Sequence, residues 1–201
     1  MTTATSPKQS INTLLLDVTD TTLTVTPEQF DLLCINNPDL RLELTPHREL
    51  IVMAPAGGES SKKNHNLSGQ LFVWNEKYEL GEAFDSSGGY DFTALGGGKP
   101  SPDVSWVEKS RLAGVNIVGF ISVVPDFVIE LRSATDNLKP TQEKMREYQR
   151  VGVKLGLLID PKNKQVEIYR PDQKPEVLES PSSIDCSEVM PGLVLSMSKI
   201  W

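Results

Sequence analysis

Two short segments of this chain place an acid, Asp103 in one and Glu130 in the other, within an apolar run. They are Ser101-Pro102-Asp103-Val104-Ser105-Trp106-Val107 and Pro125-Asp126-Phe127-Val128-Ile129-Glu130-Leu131-Arg132-Ser133. Their β-branched and hydrophobic content reads as two strands. A carboxylate in such a strand is costly to bury unless it is paired or holds a metal ion. If the two strands lie side by side, Asp103 and Glu130 can share one divalent ion. Mg²⁺ suits such a site, because it takes one or two carboxylates and keeps several waters; Mn²⁺ is an alternative. A metal-activated water is the nucleophile that phosphodiester hydrolysis needs.

Charge that builds on phosphoryl oxygens calls for a nearby cation. Arg132 stands two residues after Glu130, so both point to one face of the strand. It is expected to balance Asp103 and Glu130. Lys144 flanks an apolar helical stripe containing Met145 and Tyr148, and its long stem can lie over the core while its amine reaches a cleft. Glu49 and Glu43 are candidate accessory acids. His47 and His65 read as surface residues.

These residues need elements to hold them. Thr26-Pro27-Glu28 opens a short helix, with Thr26 as N-cap and Pro27 at the first helical position. Leu40–Leu44 and Leu50–Met53 read as a hairpin turning near Pro46-His47-Arg48, followed by a polar loop over 55–63. An amphipathic helix runs over 64–80, with Leu67, Leu71, Trp74 and Tyr78 at helical spacing and Gly81 as its stop. Strands are expected at 83–87 and 90–95. Gly96-Gly97-Gly98-Lys99 is a turn and not a phosphate-binding loop, since no helix follows. After the two acid-bearing strands come a helix over 138–151, a central strand over 155–160 and an outer strand over 166–169. Two weaker strand signals lie near the C-terminus. The mixture of strands and helices gives an α+β (mixed α/β) class. Residues 1–20 are expected to be a flexible arm and 21–201 a single domain.

The 201-residue chain can bury a sizeable core. Its net charge of −7 argues against a general nucleic-acid coat. It leaves room for local basic patches at Lys62-Lys63, along 139–150, or at Lys162 and Lys164. No apolar run is long enough for a bilayer, and the N-terminus lacks a secretory apolar core, so no membrane partner and a cytoplasmic location are expected. Cys34 and Cys186 have no metal-ligand spacing and read as core thiols.

In order along the chain, several further segments accompany the acids. They are Arg41-Leu42-Glu43-Leu44, Glu49 to Pro55, Phe84-Asp85-Ser86-Ser87, Lys144-Met145-Arg146-Glu147-Tyr148, Leu155 to Pro161, Val166 to Arg170 and Met190-Pro191-Gly192. With Pro102-Asp103 and Glu130-Leu131-Arg132, this pattern resembles the PD-(D/E)xK nuclease superfamily. It resembles most closely its Uma-type family, described as restriction endonucleases. The resemblance covers roughly residues 25–201. It implies a restriction endonuclease-like core and Mg²⁺-dependent hydrolysis of DNA. Cutting both strands with one small domain favours a homodimer. The superfamily lysine after the glutamate is Arg132 here. An arginine cannot act as a base, and in the resembled family a lysine on the next helix takes that place, where this chain has Lys144. The family's Gly-Glu turn is Arg48-Glu49 here, and its His or Asn at the start of the long helix matches Asn64. The alternative is a catalytically silent protein that keeps the fold as an interaction module or mobile-element remnant.

Overall fold

A computed structural model describes residues 21–134 and 136–201. The expected arm over 1–20 lies outside them. Helix α1 spans Pro27–Asn36, and its start is a capping box: Gln29 N–H donates to the Thr26 hydroxyl while Thr26 N–H donates to the Gln29 side chain. Strands β1 (Arg41–Leu44) and β2 (Leu50–Met53) form the antiparallel hairpin. Helix α2 spans Gly58–Tyr78. It starts six residues before the expected Asn64, within the segment read as a polar loop. An i,i+4 pair between Glu59 and Lys63 supports this first stretch. The helix ends with Glu79 in the left-handed region, so Gly81 opens the next strand rather than stopping the helix.

Strand β3 (Gly81–Asp85) is followed by β4 (Val104–Glu108), the short helix α3 (Lys109–Leu112) and β5 (Phe127–Leu131). Helix α4 (Leu138–Val151) precedes β6 (Leu155–Asp160), β7 (Gln165–Tyr169) and β8 (Glu176–Glu179). These six strands form one sheet in the order β3-β4-β5-β6-β7-β8, antiparallel except for the parallel β5–β6 pair joined through α4. Strand β7 is therefore internal, and β8 forms the edge that the sequence assigns to β7. A separate hairpin of β9 (Ser183–Asp185) and β10 (Val194–Ser196) follows. The segment 90–95, expected as a strand, holds an isolated bridge at Tyr90 and a 3-10 turn over Thr93–Leu95. Tyr90 and Phe92 are nonetheless fully buried beneath α4, so their apolar character reports packing and not extension.

Alternation along the strands creates two cores. Phe127, Ile129 and Leu131 of β5 pack with Leu67, Leu71 and Trp74 of α2 and with the C-terminal hairpin. Val128 of β5 and Leu158 of β6 pack with Met145 and Tyr148 of α4. Tyr78, expected in the core, is 38% exposed, and Cys34 is only partly buried, whereas Cys186 is fully buried.

Two glycines set distances that matter for the acids. A Cβ on Gly156 would stand 2.6 Å from Met145 Cε, so the bare backbone there lets α4 settle on the sheet. A Cβ on Gly98 would stand 1.9 Å from Leu44 O. At this contact, Leu44 and Lys99 exchange both backbone hydrogen bonds, tying the β1 hairpin to the loop that leads into Asp103. Gly98→Ala is therefore expected to lower unfolding free energy by about 2–3 kcal/mol, in the range of a severe steric substitution. Gly119→Ala is the control, because a Cβ there meets nothing within 4 Å. Thermal melts of both variants check this, and an unchanged Gly98→Ala midpoint would contradict the close approach.

Candidate active site

Strands β4 and β5 pair with Val104 opposite Ile129, and one step further along this register brings Asp103 beside Glu130. Asp103 sits one residue before β4, because Pro100 and Pro102 lack the N–H groups that would extend the ladder. Its Oδ2 accepts the Leu131 backbone N–H at 2.8 Å. Glu130 follows the parity of Val128 and faces α4, where it is 7% exposed. The Tyr148 hydroxyl donates to Glu130 Oε1 at 2.9 Å.

Lys144 comes from α4 to the same place. Its Nζ lies 2.9 Å from Glu130 Oε1 and 2.9 Å from Glu43 Oε1, and it donates to Ser101 O at 3.0 Å. Glu43 Oε1 also accepts the Ser101 N–H at 2.9 Å. Glu43 is buried between Leu42 and Leu44 of β1. One ammonium thus joins three pieces of chain: the hairpin, the loop before Asp103 and strand β5. These groups line one wall of a cleft of about 1930 Å³, bounded by the hairpin, the first turns of α2 and the side of α4.

Burial pushes the Glu130 carboxyl above its ordinary value of 4.5; Lys144 opposes that rise, and Asp103 and Glu43 add to it. Burial also raises Asp103, against the bond from Leu131 N–H and the attraction of Lys144. For Lys144, burial works against the charge, yet Glu130 and Glu43 more than reverse it and hold the ammonium protonated. Asp103, Glu130 and Glu43 thus gather their carboxyl oxygens around one ammonium. Carboxylate oxygens are the donors that a divalent cation takes, so the chemistry of the set suits one. Among the described residues there is no group of three or more acids, histidines or cysteines placed to hold an ion.

Arg132 is not part of this arrangement. Its Nη1 donates to Asp160 Oδ2 at 2.6 Å and its Nε to Asp136 O at 3.1 Å. The parallel register explains this. Glu130 pairs with Leu158 and Leu131 with Ile159, so the next residue, Arg132, meets Asp160 on the same sheet face. Burial would raise Asp160, but Arg132 and Asn163 hold its carboxyl below the usual range. The expected balance between Arg132 and the two site acids is thus corrected to an Arg132–Asp160 pair. Glu49 lines the cleft but bonds with Thr45 and not with the cluster. His47 and His65 line the cleft as well. Arg48, where the resemblance expects a glycine, adopts φ +68, the left-handed geometry that a glycine takes freely.

Glu43, one of two candidate accessory acids, lies at the centre of the cluster, and Tyr148, whose spacing marks it as core, also donates to Glu130. The signal for Glu43 was the one that marked Glu130: a lone acid flanked by leucines in a strand. Nothing in the sequence distinguishes a Tyr148 that only packs from one that also donates to Glu130.

A mixed six-stranded sheet with α2 on one face and α4 on the other, and acids gathered where β4 and β5 begin to part, defines a restriction endonuclease-like α+β fold. The Uma2 family profile, described as "Putative restriction endonuclease", matches residues 27–198. The chain belongs to that family. A solved structure from Anabaena variabilis ATCC 29413, named as a "putative nuclease belonging to DUF820", is similar to it at 22% identity and a TM-score of 0.67, over 79% of this chain and 88% of that one. That likeness carries the fold. No curated protein matches the chain. Among the described residues, no helix is long and apolar enough to cross a membrane.

The raised Glu130 carboxyl has a consequence for stability. Between 4.5 and its raised folded value, the native protein holds a proton that the unfolded chain has released. Stability from this group is therefore present at low pH and lost as pH rises through that window. Glu130→Gln removes the loss. In metal-free buffer its stability relative to wild type should increase with pH, on the order of 1 kcal/mol per unit inside the window. Denaturant titrations at several pH values test this, and parallel wild-type and variant profiles would refute it.

Proposed function

We propose that the protein is a Mg²⁺-dependent endonuclease that hydrolyses DNA phosphodiester bonds. The observation that carries this reading is the convergence of Asp103, Glu130, Glu43 and Lys144 on one wall of an open cleft. Asp103 and Glu130 would hold Mg²⁺, or Mn²⁺ in its place. The bound ion supplies Lewis acidity and a water of lowered pKa.

The chain's own residues do the rest. The Leu131 N–H fixes the direction of the Asp103 carboxylate, and the Tyr148 hydroxyl fixes that of Glu130. As a water oxygen bonds to phosphorus and gives up its proton to solvent, negative charge gathers on the phosphoryl oxygens, the bond from phosphorus to the leaving ester oxygen breaks, and that oxygen takes a proton from solvent. Lys144 is held protonated, so its part is to stabilise that charge as a compact cation rather than to accept a proton. Glu43 anchors the Lys144 amine at the cleft wall. Arg132, locked to Asp160, supports the end of β5. Two copies acting together would cut both strands of a duplex, which favours a homodimer as the working form. The free thiols of Cys34 and Cys186 suit the reducing cytoplasm.

Single-turnover cleavage of plasmid and single-stranded DNA with Mg²⁺ tests this. Glu130→Gln should stay folded and lose activity. Lys144→Ala should slow cleavage by about 10², the scale of losing one charge-stabilising group. Arg132→Lys should keep measurable activity, because a lysine can still pair with Asp160. A fully active Lys144→Ala, or a Glu130→Gln as fast as wild type, would overturn the assignment. A wild type inactive with either ion would favour the silent-fold alternative.

A further inference from the structure

Helix α2 packs Leu67, Leu71 and Trp74 against the sheet and turns its opposite side to solvent. At about 3.6 residues per turn, Lys62, Gly69, Val73 and Glu76 fall in one line on that outward side, with His65 and Phe72 along one flank of it. Phe72 is 58% exposed and Val73 69% exposed. We infer that this stripe is where a second copy of the chain docks, its own α2 lying antiparallel to the first about a two-fold axis at Gly69.

The glycine is the first reason. Gly69 stands in the middle of the helix, where glycine weakens helical structure. Nothing among the described residues calls for it, since a Cβ there would meet no atom within 4 Å. A second helix crossing at this point supplies the need, because a bare Cα lets two backbones come close. The charges are the second reason. Lys62 and Glu76 are both exposed and lie at equal separations before and after Gly69. Among the described residues neither holds an ion pair, whereas the neighbouring Lys63 is taken by Glu59. An antiparallel pairing about Gly69 sets Lys62 of each subunit opposite the partner's Glu76, twice by symmetry. A parallel pairing would set like charges together. The stripe is thus complementary to itself in one orientation, and the exposed Phe72 and Val73 lie inside the contact.

The position of the cleft is the third reason. The first turns of α2 face the cleft through Ser60, Ser61, Asn64, His65 and Ser68. That line lies about a quarter turn round the helix from the outward stripe, on the flank that carries Phe72. A two-fold axis normal to both helices keeps this flank on the same side in both subunits, so both clefts lie on one side of the dimer. The two His65 residues then stand about 12 Å apart along the helix axis, at about 1.5 Å per residue. The partner's Phe72 lies beside each of them, at the rim of the cleft. Two clefts arranged in this way can meet opposite strands of one duplex. That use rests on the nuclease reading above; the docking surface does not.

Sedimentation velocity without DNA tests the surface. A seam built on one helix pair belongs at the low end of interface sizes, so wild type should pass from monomer to dimer between about 1 and 100 μM. Lys62→Glu and Glu76→Lys, both at exposed positions, should each weaken dimerisation by about tenfold, because each brings like charges together at two symmetric places. The double variant Lys62→Glu/Glu76→Lys should return to within about threefold of wild type, since the swap restores both pairs. Single variants that dimerise as tightly as wild type, or a double variant that stays weak, would overturn the pairing. A wild type monomeric throughout would overturn the surface, leave the face to a different protein, and leave the metal chemistry of Asp103 and Glu130 standing. A dimer that responds to the variants as expected but never cuts DNA would support the surface and count against the nuclease reading alone.

Discussion

The ammonium of Lys144, held between Glu43 and Glu130 and bonded to Ser101 O, is the contact around which the rest of the cleft is arranged. Removing one partner of a buried ion pair costs about 3–5 kcal/mol, because it strands the other charge. Here the stranded charges would be two carboxylates from separate elements. The hairpin of β1 and β2 shares no sheet with β5; it reaches the site through its bridge to Lys99 and through Glu43. The lysine therefore does for the tertiary structure what backbone pairing does within the sheet.

The surrounding packing serves this contact. Asp103 and Glu130 are neighbours because β4 and β5 pair antiparallel, and Lys144 reaches them because α4 crosses back over the sheet between the parallel strands β5 and β6. Such a crossover places a helix against the face it leaves. Met145 and Tyr148 anchor α4 there, with Met145 against the bare backbone of Gly156, and the adjacent Lys144 is carried to the acids. A second cation, Lys99, performs a parallel structural task. It is 4% exposed and bridges Asp31 of α1 to Asp91, fastening the N-terminal helix to the loop that leads into the site.

Much of this was legible in the residues. The two acid-bearing strands, the hairpin, the helix over 138–151 and the strand over 155–160 follow from periodicity, β-branched content and capping signals. What was not legible depended on register. Arg132 and Glu130 do share a face, as their spacing requires, but which partner Arg132 meets is decided by the neighbouring strand, and β6 offers Asp160. Tyr90 and Phe92 have strand-like composition, yet they are buried side chains on irregular backbone. The early turns of α2 lack an apolar stripe and owe their helicity to neighbours such as the Glu59–Lys63 pair, which periodicity does not weigh. Glu43 showed the same lone-acid pattern as Glu130. Its importance emerges only when the hairpin folds against the loop at Ser101.

The central claim is that the acids gathered around Lys144 form a divalent-metal centre. The most direct measurement is anomalous diffraction from crystals soaked in Mn²⁺. The account predicts a single anomalous peak at the cleft wall, within coordination distance of the Asp103 and Glu130 carboxylates, and its disappearance in Asp103→Ala. A peak at a distant surface site, or no peak at the cleft wall under saturating Mn²⁺, would contradict it.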